Sequence, residues 1–182
     1  MSQDLFARVK VPLIEFAKDV SSQKRNTKSL AMLLVQGWIW RSGDAGERFV
    51  SDLEFREILV DGGDELRSNV LWQLKRGLQC DKPEDKLQWH ADAQEFFEHL
   101  WPRHREVKSS RMTGMLFETL VADTDGFAKL FGAIFPLLSK MHDAKKLHCL
   151  YRENAKHLVK RFPKKFAQLL AKVLPDLSLI HI

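Results

Sequence analysis

The sequence predicts an all-α fold in which antiparallel helical pairs pack as an irregular HEAT-like α-solenoid, or right-handed helical array. Three observations predict it. Every strong periodic apolar signal has helical spacing, and β-branched runs are few. One apolar pattern occurs three times, each time closed by a proline. Further amphipathic segments lie between the copies, so helical pairs recur at the period of solenoid repeats. The competing arrangement is a single compact bundle with evenly spaced helices.

Residues 1–45 are the less regular part. Leu5, Phe6, Val9, Leu13, Phe16, Ala17 and Val20 imply one or two helices, with Pro12 a kink or a start. Ser21 to Asn26 is a polar connector. Leu30, Leu33, Leu34, Trp38 and Ile39 predict a further helix that stops around Ser42-Gly43. The repeats are expected over 46–176. Asp61-Gly62-Gly63-Asp64 separates Leu53, Ile58 and Leu59 from Leu66, Val70, Leu71, Leu74 and Leu78. Both flanks have helical spacing, so this is a helical hairpin whose glycines supply the left-handed stop and whose Asp64 caps the next helix. Cys80 to Gln88, with Pro83 and alternating charge, is the expected seam.

The repeated pattern is Phe96-Phe97-x-x-Leu100-Trp101-Pro102, then Leu130-Phe131-x-x-Ile134-Phe135-Pro136, then Leu169-Leu170-x-x-Val173-Leu174-Pro175. Ala93, Phe127 and Phe166 extend it one turn earlier. Such spacing makes one buried helical face, which predicts burial of Phe97, Leu100, Phe131, Ile134 and Leu170. Proline disfavours helical geometry in the residue before it, so each helix should end or kink there. A partner helix runs from a cap at Ser109 or Ser110 through Met112, Leu116 and Leu120 to about Ala122. Another carries Leu147, Leu150, Tyr151, Ala155, Leu158, Val159 and Phe162, and Pro163 suits the first turn of the helix after it. Trp72 and Trp101 continue apolar stripes and are expected in the core.

An apolar fraction of 45% with 29% charged residues is a globular balance. The longest apolar run, Leu30 to Val35, falls far short of the ~18 to 20 residues of a membrane helix. No secretory signal is read at Met1 to Asp4. Cys80 and Cys149 lack metal-ligand spacing, so free thiols in a reduced cytoplasm are expected. Charge is uneven. Residues 103–172 hold 15 Lys and Arg against 6 Asp and Glu, whereas 1–102 hold 14 against 17.

The segments Asp64 to Leu74, Phe97 to His104 and Lys156 to Pro163 resemble C-terminal HEAT-like helical regions of very large bacterial proteins of the anti-phage-defence type. The likeness covers about residues 50–176 and rests mostly on packing residues. It implies a regulatory, sensing or assembly region whose enzymatic domains lie elsewhere, and it carries no catalytic residue. The last six residues, Leu177 to Ile182, resemble a read-through of a transposon mosaic end. Native sequence is then expected to stop near Asp176, with Met1 an internal methionine of a longer chain and apolar surface left exposed around Phe166, Leu170 and Leu174.

Signals for chemistry are sparse. No glycine-rich phosphate loop, His-Glu-x-x-His or Cys-x-x-Cys occurs, and no catalytic residue, cofactor or metal ligand is assigned. Asp123 to Gly126 has its glycine too early for a calcium loop and reads as a capping turn. Asp92, Glu95 and His99 are expected on a solvated face, and His142, His148 and His157 on or near one helix without ligand spacing. Trp38 and Trp40 flank Ile39 and cannot both face one interior, so one of them is a candidate interface residue. Arg103, Arg105, Lys108, Arg111, Lys160, Arg161, Lys164 and Lys165 are candidate phosphate contacts of a sequence-independent kind. Protein partners or adjacent domains of a parent chain are the favoured reading, nucleic acid the second, and no membrane contact is expected.

Overall fold

The computed structural model describes residues 3–22, 26–39, 41–42, 47–80, 82–102, 107, 109–122, 124–141 and 153–174. Regular structure there is helical, apart from a two-residue antiparallel ladder pairing Arg41–Ser42 (β1) with Glu47–Arg48 (β2). The helices are α1 (Gln3–Ser22), α2 (Thr27–Ile39), α3 (Asp52–Asp61), α4 (Gly63–Leu78), α5 (Pro83–Glu95), α6 (Ser110–Ala122), α7 (Phe127–Ile134), α8 (Glu153–Arg161) and α9 (Pro163–Val173). None of them is long and apolar enough to cross a membrane.

Local chemistry accounts for most boundaries. α1 passes through Pro12 as one helix. Ser51 caps α3 through a capping box: its hydroxyl accepts the Glu54 N–H while the Glu54 carboxylate accepts the Ser51 N–H at 2.8 Å. Burial raises the Glu54 pKa, but the Ser51 hydrogen bonds, with Lys10 and Lys18 nearby, hold it below the ordinary value overall. This contribution is present above the unfolded pKa and is lost as pH falls through the folded one. At the next corner Gly62 donates its N–H to the Ile58 carbonyl, and Gly63 takes the left-handed φ of 67°. The hairpin expectation holds in its glycines and fails at Asp64. That residue does not cap α4; it sits in the first turn, 2.9 Å from Arg67. Buried Arg67 reaches back and donates to the Leu59 and Val60 carbonyls at 3.0 and 3.1 Å, so α4 satisfies acceptors at the end of α3.

The proline-closed helices are α5, α7 and α9. Beyond Glu95, α5 continues as a π turn, Phe96–Leu100, in which the Trp101 N–H donates to the Phe96 carbonyl. Trp101 and Leu174 are extended, with ψ of 129° and 144°, as a residue before proline prefers. Phe135 is not: the chain stays helical (ψ −42°) and tightens into a 3₁₀ turn, Phe135–Leu137, that carries Pro136 through. Here the following turn overrides the local preference.

Burial sorts the repeated stripe by position. Ala93, Phe96 and Leu100 are buried, as are Phe127, Leu130 and Ile134, and Phe166, Leu169 and Val173. Phe97 and Trp101 are buried as well, but the matching Phe131, Phe135, Leu170 and Leu174 are half-buried. Phe131 and Leu170 therefore fall short of the burial expected, whereas Phe166 is buried rather than exposed. The Lys165 and Lys172 ammonium groups lie 5.4 and 5.9 Å from the Phe131 and Phe135 ring centroids, so lysine stems from α9 cover the outer edge of α7.

Consecutive helices such as α4 and α5, or α6 and α7, pack on each other, and a skipping order runs alongside. α2 packs on α4, α4 on α6 and α6 on α8. α1 packs on α3, α3 on the π turn of α5, and α5 with its π turn on α7. α7 meets α9 through the Lys165 hydrogen bond to the Ala128 carbonyl and the 5.3 Å stack of Phe127 on Phe162. The stretch after α7 is tied down by Met141, whose N–H donates to the Val173 carbonyl at 2.8 Å. Either side of the expected seam at 80–88, α4 and α5 are in close contact: the Trp89 ring occupies the space a Cβ on Gly77 would need. Gly77→Ala gains about 1 kcal/mol of helix propensity but overpacks this contact by about 1 to 3 kcal/mol. A net loss in urea denaturation is expected, and a gain would show that the ring moves aside freely.

Candidate functional site: a buried ionic cluster, a basic corner and three grooves

A polar cluster forms where the β1–β2 ladder meets α3 and α5. β2 ends at Arg48, whose guanidinium lies 4.0 Å from the Trp38 ring centroid. It contacts Glu95 at 2.6 Å, Asp52 at 3.0 Å and Asp92 at 3.9 Å. The Trp38 indole N–H donates to Asp52 at 2.8 Å, and the Gln88 amide donates to both oxygens of Asp92. Asp92 is only 1% exposed. The solvated face expected for Asp92, Glu95 and His99 is thus corrected for Asp92: its carboxylate is buried because a cation on a distant strand reaches it. His99 does lie outward, with its side chain 64% exposed. Every carboxylate of this cluster is engaged by a donor, which suits fixing α2, α3 and α5 together.

Trp38 is fully buried, its ring edge-on to Phe55 and Phe96. It belongs to the core, so the interface proposed for the Trp38–Trp40 pair does not lie at Trp38; Trp40 is outside the described residues. Trp72 departs in the opposite direction. It was expected in the core and is 44% exposed. Leu71 and Leu74 face inward on α4, and Trp72 between them turns out.

Of the basic candidates, Arg103, Arg105 and Lys108 lie outside the described residues. Arg111 is exposed in the first turn of α6. Lys160, Arg161, Lys164 and Lys165 gather where α8 turns into α9, and the first three are exposed. Two serve the fold: Arg161 lies 3.5 Å from Asp125, and Lys165 holds the Ala128 carbonyl. Lys86 donates to Asp125 at 3.1 Å, and that bond, with His90 and Arg161 nearby, keeps the Asp125 carboxyl below its ordinary pKa despite some burial. Asp125 therefore links α5 to α8 through a loop that resembled a calcium site. Cys80 is a free thiol; Cys149, His142 and His148 are outside the described residues. Among the described residues, no group of three or more His, Cys, Asp or Glu side chains is placed to hold a metal.

Among the described residues, three grooves open between helices that neighbour each other in the skipping order. The α1–α3 groove, of about 390 Å³, is lined by Lys18, Leu53, Arg56, Glu57, Val60 and Asp61. The α5–α7 groove, of about 280 Å³, contains Leu87 and His90. The α2–α4 groove, also about 280 Å³, is lined by Lys28, Asn69, Trp72 and Gln73. None of the three was legible as a groove in the sequence, since each needs side chains from two helices. No protein-family model, curated protein or solved structure matches this chain.

Proposed function

We propose that this chain is a non-catalytic, HEAT-like helical scaffold, a region of a larger bacterial multidomain protein of the kind its resemblance implies, that presents an extended surface to protein partners or adjacent domains. The packing order carries this reading. Consecutive helices such as α4 and α5 touch, and in addition even-numbered helices touch the next even-numbered one and α1, α3, α5 and α7 the next odd-numbered one, as in stacked helical pairs that bury a continuous core. The sequence repeat supports it, because all three proline-closed copies fall on the odd-numbered helices α5, α7 and α9. Exposed leucines give the surface its anchors. Leu53 is 68% and Leu87 72% exposed, each in a groove between successive odd-numbered helices, and grooves between stacked repeats are where such arrays grip partners.

Photo-crosslinking residues placed at 53 and 87 test the reading in cells. Protein adducts at both, and none from a control at exposed Gln168, are expected. Equal labelling at all three positions would count against a defined surface. A second reading, sequence-independent binding of nucleic acid, draws on exposed Lys160 and Lys164, for which no ion pair is found among the described residues. It predicts salt-dependent duplex binding that weakens in Lys160→Gln/Lys164→Gln, with a log–log slope reduced by about 2.

A further inference from the structure

We propose that the α2–α4 groove binds a nucleotide, its base stacked on Trp72 and its phosphate held by Lys28. This site is distinct from the scaffold surface and from the basic corner of α8 and α9. Burying Trp72 would stabilise the chain, yet α4 turns it outward into a concavity. Arg76 lies one helical turn on, its guanidinium 5.5 Å from the Trp72 ring centroid. An exposed indole beside an arginine is a stacking platform for a base. The groove, at about 280 Å³, is near the lower limit for small-molecule sites, a size suited to a single nucleotide.

The polar groups around the ring fit the rest of a nucleotide. Among the described residues, no carboxylate lines the groove. On α4 and α6, Glu65 accepts from the Thr27 hydroxyl, and Glu118 is paired with Lys75 at 2.6 Å. Lys28 stands in the first turn of α2, which has no acidic residue, so the helix dipole adds to its attraction for phosphate. Asn69 and Gln73 bring amides, each able to donate and accept at a base edge. Asn69 is oriented by its hydrogen bond to the Thr27 hydroxyl at 3.0 Å. An acidic peptide would use the two cations but leave the ring face and the amides without a role, which is why the nucleotide is favoured.

The test is fluorescence and equilibrium-dialysis titration of the full chain at low salt. The probes are AMP, UMP, a dT oligonucleotide of twelve bases or so, and polyglutamate. Nucleotide binding is expected, weakened about tenfold or more by Trp72→Leu, which keeps apolar bulk and removes the stack. Trp72→Phe should retain most of it, and Lys28→Gln should lower the salt slope by about one. Binding much tighter to the oligonucleotide than to UMP would identify a single strand as the ligand, and similar affinities a free nucleotide; both support the site. No binding of any nucleotide, affinity unchanged in Trp72→Leu, or binding of polyglutamate alone would overturn it. Loss of binding in Lys160→Gln/Lys164→Gln with Trp72→Leu unaffected would place the interaction at the basic corner and overturn it as well.

Discussion

Replacing Arg48 with methionine is expected to lower the unfolding free energy by about 3 to 5 kcal/mol, the cost of breaking a buried ion pair by removing one partner. The reason lies in the exposure of its partners. Asp52 and Glu95 are partly open, with side chains 51% and 36% exposed, so water can take over much of their solvation. Asp92 cannot be rescued in that way: it is 1% exposed, so removing the guanidinium 3.9 Å away takes a cation from a carboxylate that water does not reach, although the Gln88 amide still donates to it. The lost stack on Trp38 adds to the penalty. A double variant, Arg48→Met with Asp92→Asn, removes cation and buried anion together and should recover a substantial part of the loss. Urea denaturation of the three proteins measures this, with the slope checked for a change in the denatured state. Equal losses in the single and double variants would show that Arg48 acts through packing, not through charge. Because whole domains are stable by only about 5 to 15 kcal/mol, Arg48→Met stands close to unfolding the chain.

This cluster also shows where sequence reasoning stops. Helix α6 was legible within a residue or so, because Ser109 and Ser110 precede a clean stripe of Met112, Leu116 and Leu120, and the Ser109 hydroxyl accepts from the Met112 N–H at 3.5 Å. Pro163 opening α9 and the left-handed Gly63 were legible for the same reason. The Ser51-x-x-Glu54 capping box has a sequence signature too, but it was not among the signals read. Asp92 was not legible. Its helical face looks polar, and the residue that buries it comes from β2, 44 positions earlier in the chain. Trp72 failed in the other direction. A stripe of Leu66, Val70, Leu71, Leu74 and Leu78 already fills the inward face of α4, so the indole is left to face the groove. Periodicity ranks the positions on a helix but does not say how wide the buried face is. That width depends on the neighbouring helices, here α2 and α6.

Phe96→Ala should cost a similar amount, about 3 to 5 kcal/mol, for a different reason. Phe96 is fully buried at the start of the π turn. Its ring lies 5.2 Å from Phe97, 5.7 Å from Phe55, 6.0 Å from Trp101 and 6.1 Å from Trp38, centroid to centroid. Those four rings stand on α2, α3 and the end of α5, so no single backbone shift can close the void. Phe131, one repeat later, is half-buried beneath Lys165, and Phe131→Ala should lose clearly less. Hydrogen exchange on Phe96→Ala then separates a stacked array from a single bundle. In an array, stability is a sum of units and neighbouring interfaces. Protection should then fall most in α2, α3 and α5, and persist in α8 and α9. A bundle with one cooperative core would lose protection to the same extent from α2 to α9, and that result would overturn the scaffold reading at its foundation.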